Sequence, residues 1–267
     1  MAIVNPNAGA PDIRSPIGYC IYCGSIEDLT TEHVVPFFMG GTLELPKASC
    51  RACAKITGRF EGAVGRGMLQ AYRVKNNGPT RRPKERPTHL PLRVVREGVT
   101  ENLMVLAADH PGTFALPIFE PPRLMTDLMG IHIGRHQAIR TAIVSSVPLE
   151  KLVPADAQGI ETGTVHLTAF TRFLAKVAHG FICAEHGPRS FIPLLIPLIL
   201  GETDQYADYI GGCSYPAPSE LRFEVALHPY QYRDGNCAYV GCHIALLPYA
   251  HCPVYDVVVG RLPLVRP

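Results

Sequence analysis

The chain has 267 residues, of which 47% are hydrophobic and 18% charged, with 24 glycines, 25 prolines and no tryptophan. This composition allows one large domain or two modest ones with a buried core, and it excludes disordered, collagen-like and coiled-coil chains. The net charge of +2 is uneven, because residues 47–96 hold 13 Lys and Arg against two Glu, a local charge of +11. Such an excess favours a polyanionic partner, most commonly nucleic acid, although a solvated basic linker gives the same pattern.

The first residues of the sequence are unlike a secretory signal, because they lack a basic start followed by an apolar run. We therefore expect no such signal and a cytoplasmic location. The most apolar stretch, 191–200, contains two prolines and is shorter than the roughly 20 residues that span a bilayer. We therefore expect no membrane association and a buried stretch at 191–200. Nine cysteines without a secretory context should bind metal or be buried.

Four cysteines form two Cys-x2-Cys pairs, Cys20 with Cys23 and Cys50 with Cys53, separated by 26 residues. Two such turns supply the four thiolates of a tetrahedral Zn²⁺ site, which has no open position for a substrate. The spacing predicts one structural zinc, the alternative being four buried free thiols. The later cysteines and histidines match no standard metal spacing and alternate with apolar residues, so we expect ordinary packing for Cys237, Cys242, His243, His251 and Cys252.

The segment between the two pairs has its own pattern. It carries Glu32 and His33 on a short β-prone run, then Pro36 and a Gly40-Gly41 turn. A helix is predicted from near residue 51 to beyond residue 61. Together these features predict an extended hairpin followed by a helix, joined at its base by zinc.

These residues resemble the HNH endonuclease family, which has a ββα-metal fold. The resemblance rests on CIYCG, TEHVVPFFMGG and KASCRACAKITGRFE, which make up under a quarter of the chain. It implies that His33 is the general base that takes a proton from the attacking water, and that Glu32 binds one divalent ion, usually Mg²⁺. An unperturbed histidine titrates near pH 6.5, so the neutral base is available at neutral pH. Neighbours on a strand point to opposite faces, so both side chains can converge only at a bend or a strand end.

The chain departs from the family pattern in two places. Ala54 stands where many members carry an Asn or His as the last metal ligand, and the middle Asn is missing from residues 43–47. Either the ligand has moved or the site is inactive. Glu61 lies on the same helix face as Ala54 and is the charged candidate to hold the ion with Glu32, unless it is a surface acid. Glu44 is a weaker candidate.

Basic residues surround this segment and continue past it. Residues 76–88 are predicted to form a basic, proline-rich linker whose arginines track a phosphate backbone. We expect contacts with duplex DNA from Lys47, Arg51, Lys55, Arg59, Arg81, Arg82, Lys84 and Arg86.

The predicted fold class is α+β. An HNH-like zinc module at 1–75 and the linker at 76–88 are followed by a mixed α+β domain at 89–267. In that domain we expect short strands, a helix at about 167–186 capped by Gly187, and a hairpin at Asp234-Gly235. His179, beside the apolar stripe of the helix, is interpreted as a packed or surface histidine. The domain has no catalytic motif, so target recognition, homodimer formation and sensing all stay open for it.

Two functions fit the sequence. The first is a metal-dependent HNH-type endonuclease that hydrolyses phosphodiester bonds in DNA, and the intact Glu32-His33 pair favours it. The second is a catalytically degenerate HNH-fold protein that binds nucleic acid or acts as a scaffold, and Ala54 favours it. A zinc ribbon that binds another protein is a third class.

Overall fold

The computed structural model describes residues 2–4, 11–128, 139–148, 153–212, 225–234, 237–247 and 252–263. Within these ranges the chain forms four β-sheets and five α-helices. The predicted α+β class is therefore confirmed.

The N-terminal elements include the predicted hairpin and helix. They are β1 (Ala2–Val4), β2 (Asp12–Ile13), β3 (Leu29–His33), β4 (Leu43–Cys50), α1 (Arg51–Gly62), a π-helical segment (Ala63–Met68) and α2 (Gln70–Lys75). β3 and β4 pair antiparallel, and β2 adds to β4 in parallel. Gly41 is required in the turn between β3 and β4, because a Cβ there would lie 1.8 Å from the carbonyl oxygen of Val35.

The middle of the chain forms two small sheets. Its elements are β5 (His89–Arg96), β6 (Val99–Leu106), β7 (Phe114–Ile118), α3 (Arg123–Leu128), β8 (Arg140–Val144) and β9 (Gly159–Glu161). One sheet has the order β6-β5-β9, and the other pairs β7 with β8.

The C-terminal elements build the largest sheet. They are α4 (Leu167–His186), β10 (Ile192–Pro193), α5 (Ile196–Leu200), β11 (Ile210–Gly212), β12 (Val225–Asp234), β13 (Cys237–Leu246) and β14 (Val254–Arg261). The sheet has the order β1-β12-β13-β14-β10, and β11 also pairs with β14. Asp234 pairs with Cys237 as the predicted hairpin requires, while Gly235 lies outside the described residues.

Helix α4 has the predicted bounds and lies at the centre of the core. Residues 170–183 are buried except for Arg172, and the helix packs against β13, β14 and α1. Phe170 contacts the ring of Tyr255 edge-on, with 5.3 Å between the ring centroids. Each fully buried aromatic or aliphatic side chain of this kind contributes about 1.5–3 kcal/mol. Gly187 ends the helix at a positive φ of 83°.

One continuous apolar core runs from Cys20 to Val259. It includes Phe191, Leu195, Leu198 and Ile199, so the apolar stretch at 191–200 is buried in part, whereas Ile192 in the same stretch is 60% exposed. Within the described ranges, the helices lack the length and apolarity needed to cross a bilayer. The division into 1–75, 76–88 and 89–267 stays a prediction, and buried contacts cross each of its boundaries.

Candidate metal centre and active site

The four cysteines of the two pairs come together at the base of the hairpin. The sulfur atoms of Cys20, Cys23, Cys50 and Cys53 all lie within 4.8 Å of one another. Those of Cys23 and Cys50 are 3.7 Å apart, close to the edge of about 3.8 Å expected for four sulfurs bound at 2.3 Å to one tetrahedral Zn²⁺. The sulfur-only donor set and its spacing fit such a metal ion. Among the described residues, no second group of metal-binding side chains appears, and His251 lies outside them.

Backbone hydrogen bonds preform the first cysteine turn. The N–H of Cys20 donates to the carbonyl of Ser25 at 2.7 Å, and the N–H of Gly24 donates back to the carbonyl of Cys20 at 2.8 Å. Gly24 takes a φ of 77°, which a larger residue adopts at a cost. The N–H of Ile21 bonds the carbonyl of Ala48 in β4 at 2.8 Å and so places this turn beside the second pair.

The second pair is prepared by the start of α1. Cys50 caps the helix, and its sulfur accepts a hydrogen bond from the N–H of Cys53 at 3.5 Å. This hydrogen bond lowers the pKa of the Cys50 thiol to about 7. Burial instead raises the pKa of Cys20 and of Cys53. A bound metal ion would displace those protons, because thiolates are the zinc ligands.

A cleft of about 790 Å³ lies between the end of β3, helix α1 and the segment 79–87. Its charged and polar lining includes Glu32, His33, Glu61, Lys176, Arg66, Arg73, Arg81, Arg82 and Arg86. His33 is the last residue of β3, so the predicted convergence of Glu32 and His33 occurs at a strand end. Ala54 also lines the cleft, at the position where the family resemblance places a metal ligand.

The imidazole of His33 lies between the guanidinium of Arg81 and the carboxylate of Glu44. Its Nε2 is 3.0 Å from an Nη2 of Arg81. A guanidinium has donors only, so Nε2 accepts and the ring proton resides on Nδ1. That buried Nδ1 has no hydrogen-bond partner and faces Glu44 on β4, 3.7 Å from Oε1. Nε2 is the nitrogen that could accept a proton from water once Arg81 moves away, and Glu44 can orient the ring, because such contacts are often long before substrate binds.

Glu32 and Glu61 both pair with Lys176, for which the sequence predicted no role in the site. The Nζ of Lys176 lies 2.7 Å from Oε1 of Glu32 and 2.8 Å from Oε1 of Glu61. It also donates to the carbonyls of His33 and Val34. Lys176 lies on α4, 1% exposed, within a helix segment that is otherwise mainly apolar. A lysine within such an apolar helix segment is the sequence feature that could have indicated a buried ion pair.

The divalent ion predicted for Glu32 and Glu61 does not fit this arrangement. Mg²⁺ binds carboxylate oxygens at about 2.0–2.1 Å, and the ammonium of Lys176 already lies between the two carboxylates. Burial lowers the pKa of Lys176, but the charges of Glu32 and Glu61 outweigh it and raise that pKa overall. The lysine is therefore a cation at neutral pH.

The basic residues divide into two groups. Of the predicted DNA contacts, Arg81, Arg82 and Arg86 line the cleft, whereas Lys47, Arg51, Lys55, Arg59 and Lys84 lie outside its lining.

Two of the cleft arginines have structural roles. Arg73 donates to the carbonyls of Phe38, Gly65 and Pro79 at 3.2, 2.8 and 3.0 Å, and it holds the segment 79–87 in place. Arg86 likewise donates to the carbonyls of Gly78 and Arg73.

Helix α4 also holds the first cysteine turn. His179, 2% exposed, has its Nε2 3.1 Å from the carbonyl oxygen of Ile21. Burial lowers the pKa of His179 to about 4, so it is neutral. Of the two predicted alternatives, a packed or a surface histidine, the structure shows the packed one.

Comparisons with models of protein families, with curated proteins and with solved structures give no match for this chain. The resemblance to the HNH family therefore depends on the residues of the hairpin and helix alone.

Proposed function

We propose that the protein is an HNH-type endonuclease that hydrolyses phosphodiester bonds in DNA, with a structural Zn²⁺ on Cys20, Cys23, Cys50 and Cys53. One observation carries the proposal: an imidazole, with a carboxylate behind its Nδ1, lies at the wall of a cleft that is rich in arginine. None of the eight described cysteines is in a disulfide, which supports the reducing cytoplasm as the place of action.

The proposed chemistry assigns each proton. A water attacks phosphorus while Nε2 of His33 accepts one of its protons. The new P–O bond forms as one ester P–O bond breaks, and the departing oxygen takes a proton from solvent. Glu44 stabilises the imidazolium through Nδ1, as an acid behind a histidine base does elsewhere. Arg81, now 3.0 Å from Nε2, turns to the phosphate oxygens and frees that nitrogen for water.

The cleft offers a phosphate backbone several cations. Arg66, Arg81 and Arg82 are exposed and line it. Arg82 forms an ion pair with Glu85, with 3.1 Å between Nη1 and Oε2. Exposed pairs of this kind are weak, so a phosphate could replace Glu85 as the partner of Arg82. We propose a duplex as the substrate, because phosphate contacts by arginine do not require unstacked bases.

Ala54 supports a second candidate, an HNH-fold protein that binds nucleic acid without cutting it. The methyl group of Ala54 lines the cleft and offers no ligand atom. Both candidates predict DNA binding, and only the first predicts cleavage.

A plasmid-nicking assay separates the two candidates. We expect the zinc-loaded wild type to nick DNA and His33→Ala to lose about 10²–10⁴-fold in rate, the usual value of general-base catalysis. His89→Ala, which changes an exposed histidine on β5, is the matched control and should cleave like the wild type. Binding by His33→Ala should be retained. Wild-type binding without any nicking would leave the binding-only candidate, and full activity in His33→Ala would move the chemistry elsewhere.

A further inference from the structure

Lys176 lies where four oxygen atoms converge. Two belong to the carboxylates of Glu32 and Glu61, and two are the carbonyl oxygens of His33 and Val34. An oxygen-only cage that mixes carboxylates and carbonyls is the type of site that holds a hard cation such as Mg²⁺ or Ca²⁺. Here the chain supplies the cation itself, from a helix 143 residues further along than His33.

The burial of this cluster requires the cation. The side chains of Lys176 and Glu32 are 2% and 6% exposed, and that of Glu61 is 22% exposed. Two carboxylates so placed repel one another and would also repel an incoming phosphate. The ammonium offsets one of the two negative charges and satisfies both carboxylates with hydrogen bonds. Isolated charges are very costly to bury, and pairing removes most of that cost.

We propose that Lys176 is the built-in cation of the cleft, in the position of a divalent ion, and that DNA cleavage needs no divalent cation besides the structural zinc. The inference rests on the proposed endonuclease function. Lys176 acts as a positioning residue: its hydrogen bonds to the carbonyls of His33 and Val34 fix the end of β3, and so fix the imidazole. The positive charges that face the phosphate are those of the arginines.

Manganese binding tests the proposal without any cleavage. The probe is Mn²⁺, followed by its electron paramagnetic resonance signal and by titration calorimetry, on protein loaded with zinc. We expect the wild type to bind no Mn²⁺ in the cleft, because the ammonium occupies the cage. Lys176→Ala should gain one Mn²⁺ site, and adding Glu61→Gln to that variant should remove it again.

The matched control for this test is Arg172→Gln. Arg172 lies one turn before Lys176 on α4 and pairs with exposed Asp204 at 2.9 Å. Its loss should leave the protein without a Mn²⁺ site. If Lys176→Ala does not fold, the wild-type titration still decides. A wild-type Mn²⁺ site that Glu32→Gln and Glu61→Gln each abolish would overturn the proposal.

Cleavage after chelation gives the second readout. EDTA is added to the zinc-loaded wild type, and metal analysis verifies that one zinc per chain is retained. We expect the nicking rate to be unchanged by EDTA and by added Mg²⁺. Loss of nicking with zinc retained, and its return with Mg²⁺, would overturn the proposal and leave the endonuclease function standing. A protein that binds DNA but nicks it under no condition would refute the function, and the Mn²⁺ titration would still decide the identity of the cation.

Discussion

The cleft and the six-stranded sheet both bury carboxyl groups, but they do so in opposite ways. In the cleft, Glu32 and Glu61 share the ammonium of Lys176 at 2.7 and 2.8 Å. On the sheet, Asp256 accepts a hydrogen bond from the hydroxyl of Tyr230, and its Oδ1 lies 3.9 Å from Nε2 of His243.

The two environments favour different charge states. An ammonium nearby favours the ionised carboxylate, whereas burial without one favours the neutral acid. Burial accordingly raises the pKa of Asp256 to about 6 and lowers that of His243. The cleft therefore pairs its two carboxylates with a cation, as the proposed nuclease site requires, whereas burial on the sheet shifts Asp256 toward its protonated form.

The largest expected effect comes from removing the proposed zinc site, which should unfold the hairpin and helix beside the cleft and leave the six-stranded sheet folded. Cys50→Ser removes one thiolate of the proposed zinc site, and structural zinc contributes on the order of 10 kcal/mol to the folding of small modules. We expect hydrogen exchange to show loss of protection in β3, β4 and α1, while β12, β13 and β14 stay protected.

The control for this prediction is Cys237→Ser, which changes an exposed cysteine on β13 and should leave protection unchanged. Zinc content below one per chain in the wild type would contradict the prediction. Equal loss of protection in the cleft and the sheet would show that the two regions unfold as one unit.

The next effect tests the charge balance of the cleft. Lys176→Met keeps the packing of α4 but leaves two carboxylates without their cation, which should lower the free energy of unfolding by about 3–5 kcal/mol. Adding Glu32→Gln removes one of those charges and should recover part of the loss. Urea unfolding, followed by circular dichroism, measures both. A loss below about 1 kcal/mol, as for an exposed ion pair, would mean that the cleft resembles a surface rather than a buried charge cluster.

A smaller effect concerns DNA. If Arg66, Arg81 and Arg82 each meet one phosphate, the slope of log K against log salt is about −3, and Arg81→Ala with Arg82→Ala should bring it to about −1. Lys47→Ala with Lys55→Ala, outside the cleft lining, is the matched control and should leave the slope unchanged. Fluorescence anisotropy with a duplex over a range of salt gives these slopes. An unchanged slope in the arginine variant would mean that the duplex contacts basic residues outside the cleft lining, such as Lys47 and Lys55.

Features fixed by short-range patterns were predictable from the sequence. The spacing of the four cysteines predicted a cluster that the structure shows, and the apolar stripe of α4 gave both ends of that helix. The alternation of side chains along a strand left a bend or a strand end as the two ways for Glu32 and His33 to converge, and the structure has His33 at the end of β3 and a register shift between Thr30 and Glu32.

Features that depend on distant packing were not predictable. Lys176 is 143 residues from His33, and no local periodicity reveals which carboxylates a buried lysine will meet. Glu44 was considered only as a metal ligand, because the register that places it opposite His33 is set by the hairpin. The contact between Arg81 and His33 depends on the path of a proline-rich segment, which Arg73 fixes through carbonyl groups on both sides of it.

The smallest effect tests the sheet side of the comparison. The pKa of Asp256 is raised from 3.8 to about 6 in the folded protein, so folding favours its protonated form. The stability that this preference provides is fully present below pH 3.8 and is lost as the pH rises through 6. The amide of Asp256→Asn does not release a proton in this range. The free energy of unfolding of this variant relative to the wild type should therefore increase by about 1 kcal/mol between pH 5 and pH 8. Urea unfolding at both pH values measures this, with Asp109→Asn, at an exposed turn, as the control. A pH-independent difference would mean that Asp256 stays ionised throughout, and that the sheet compensates its buried carboxyl group as fully as the cleft does.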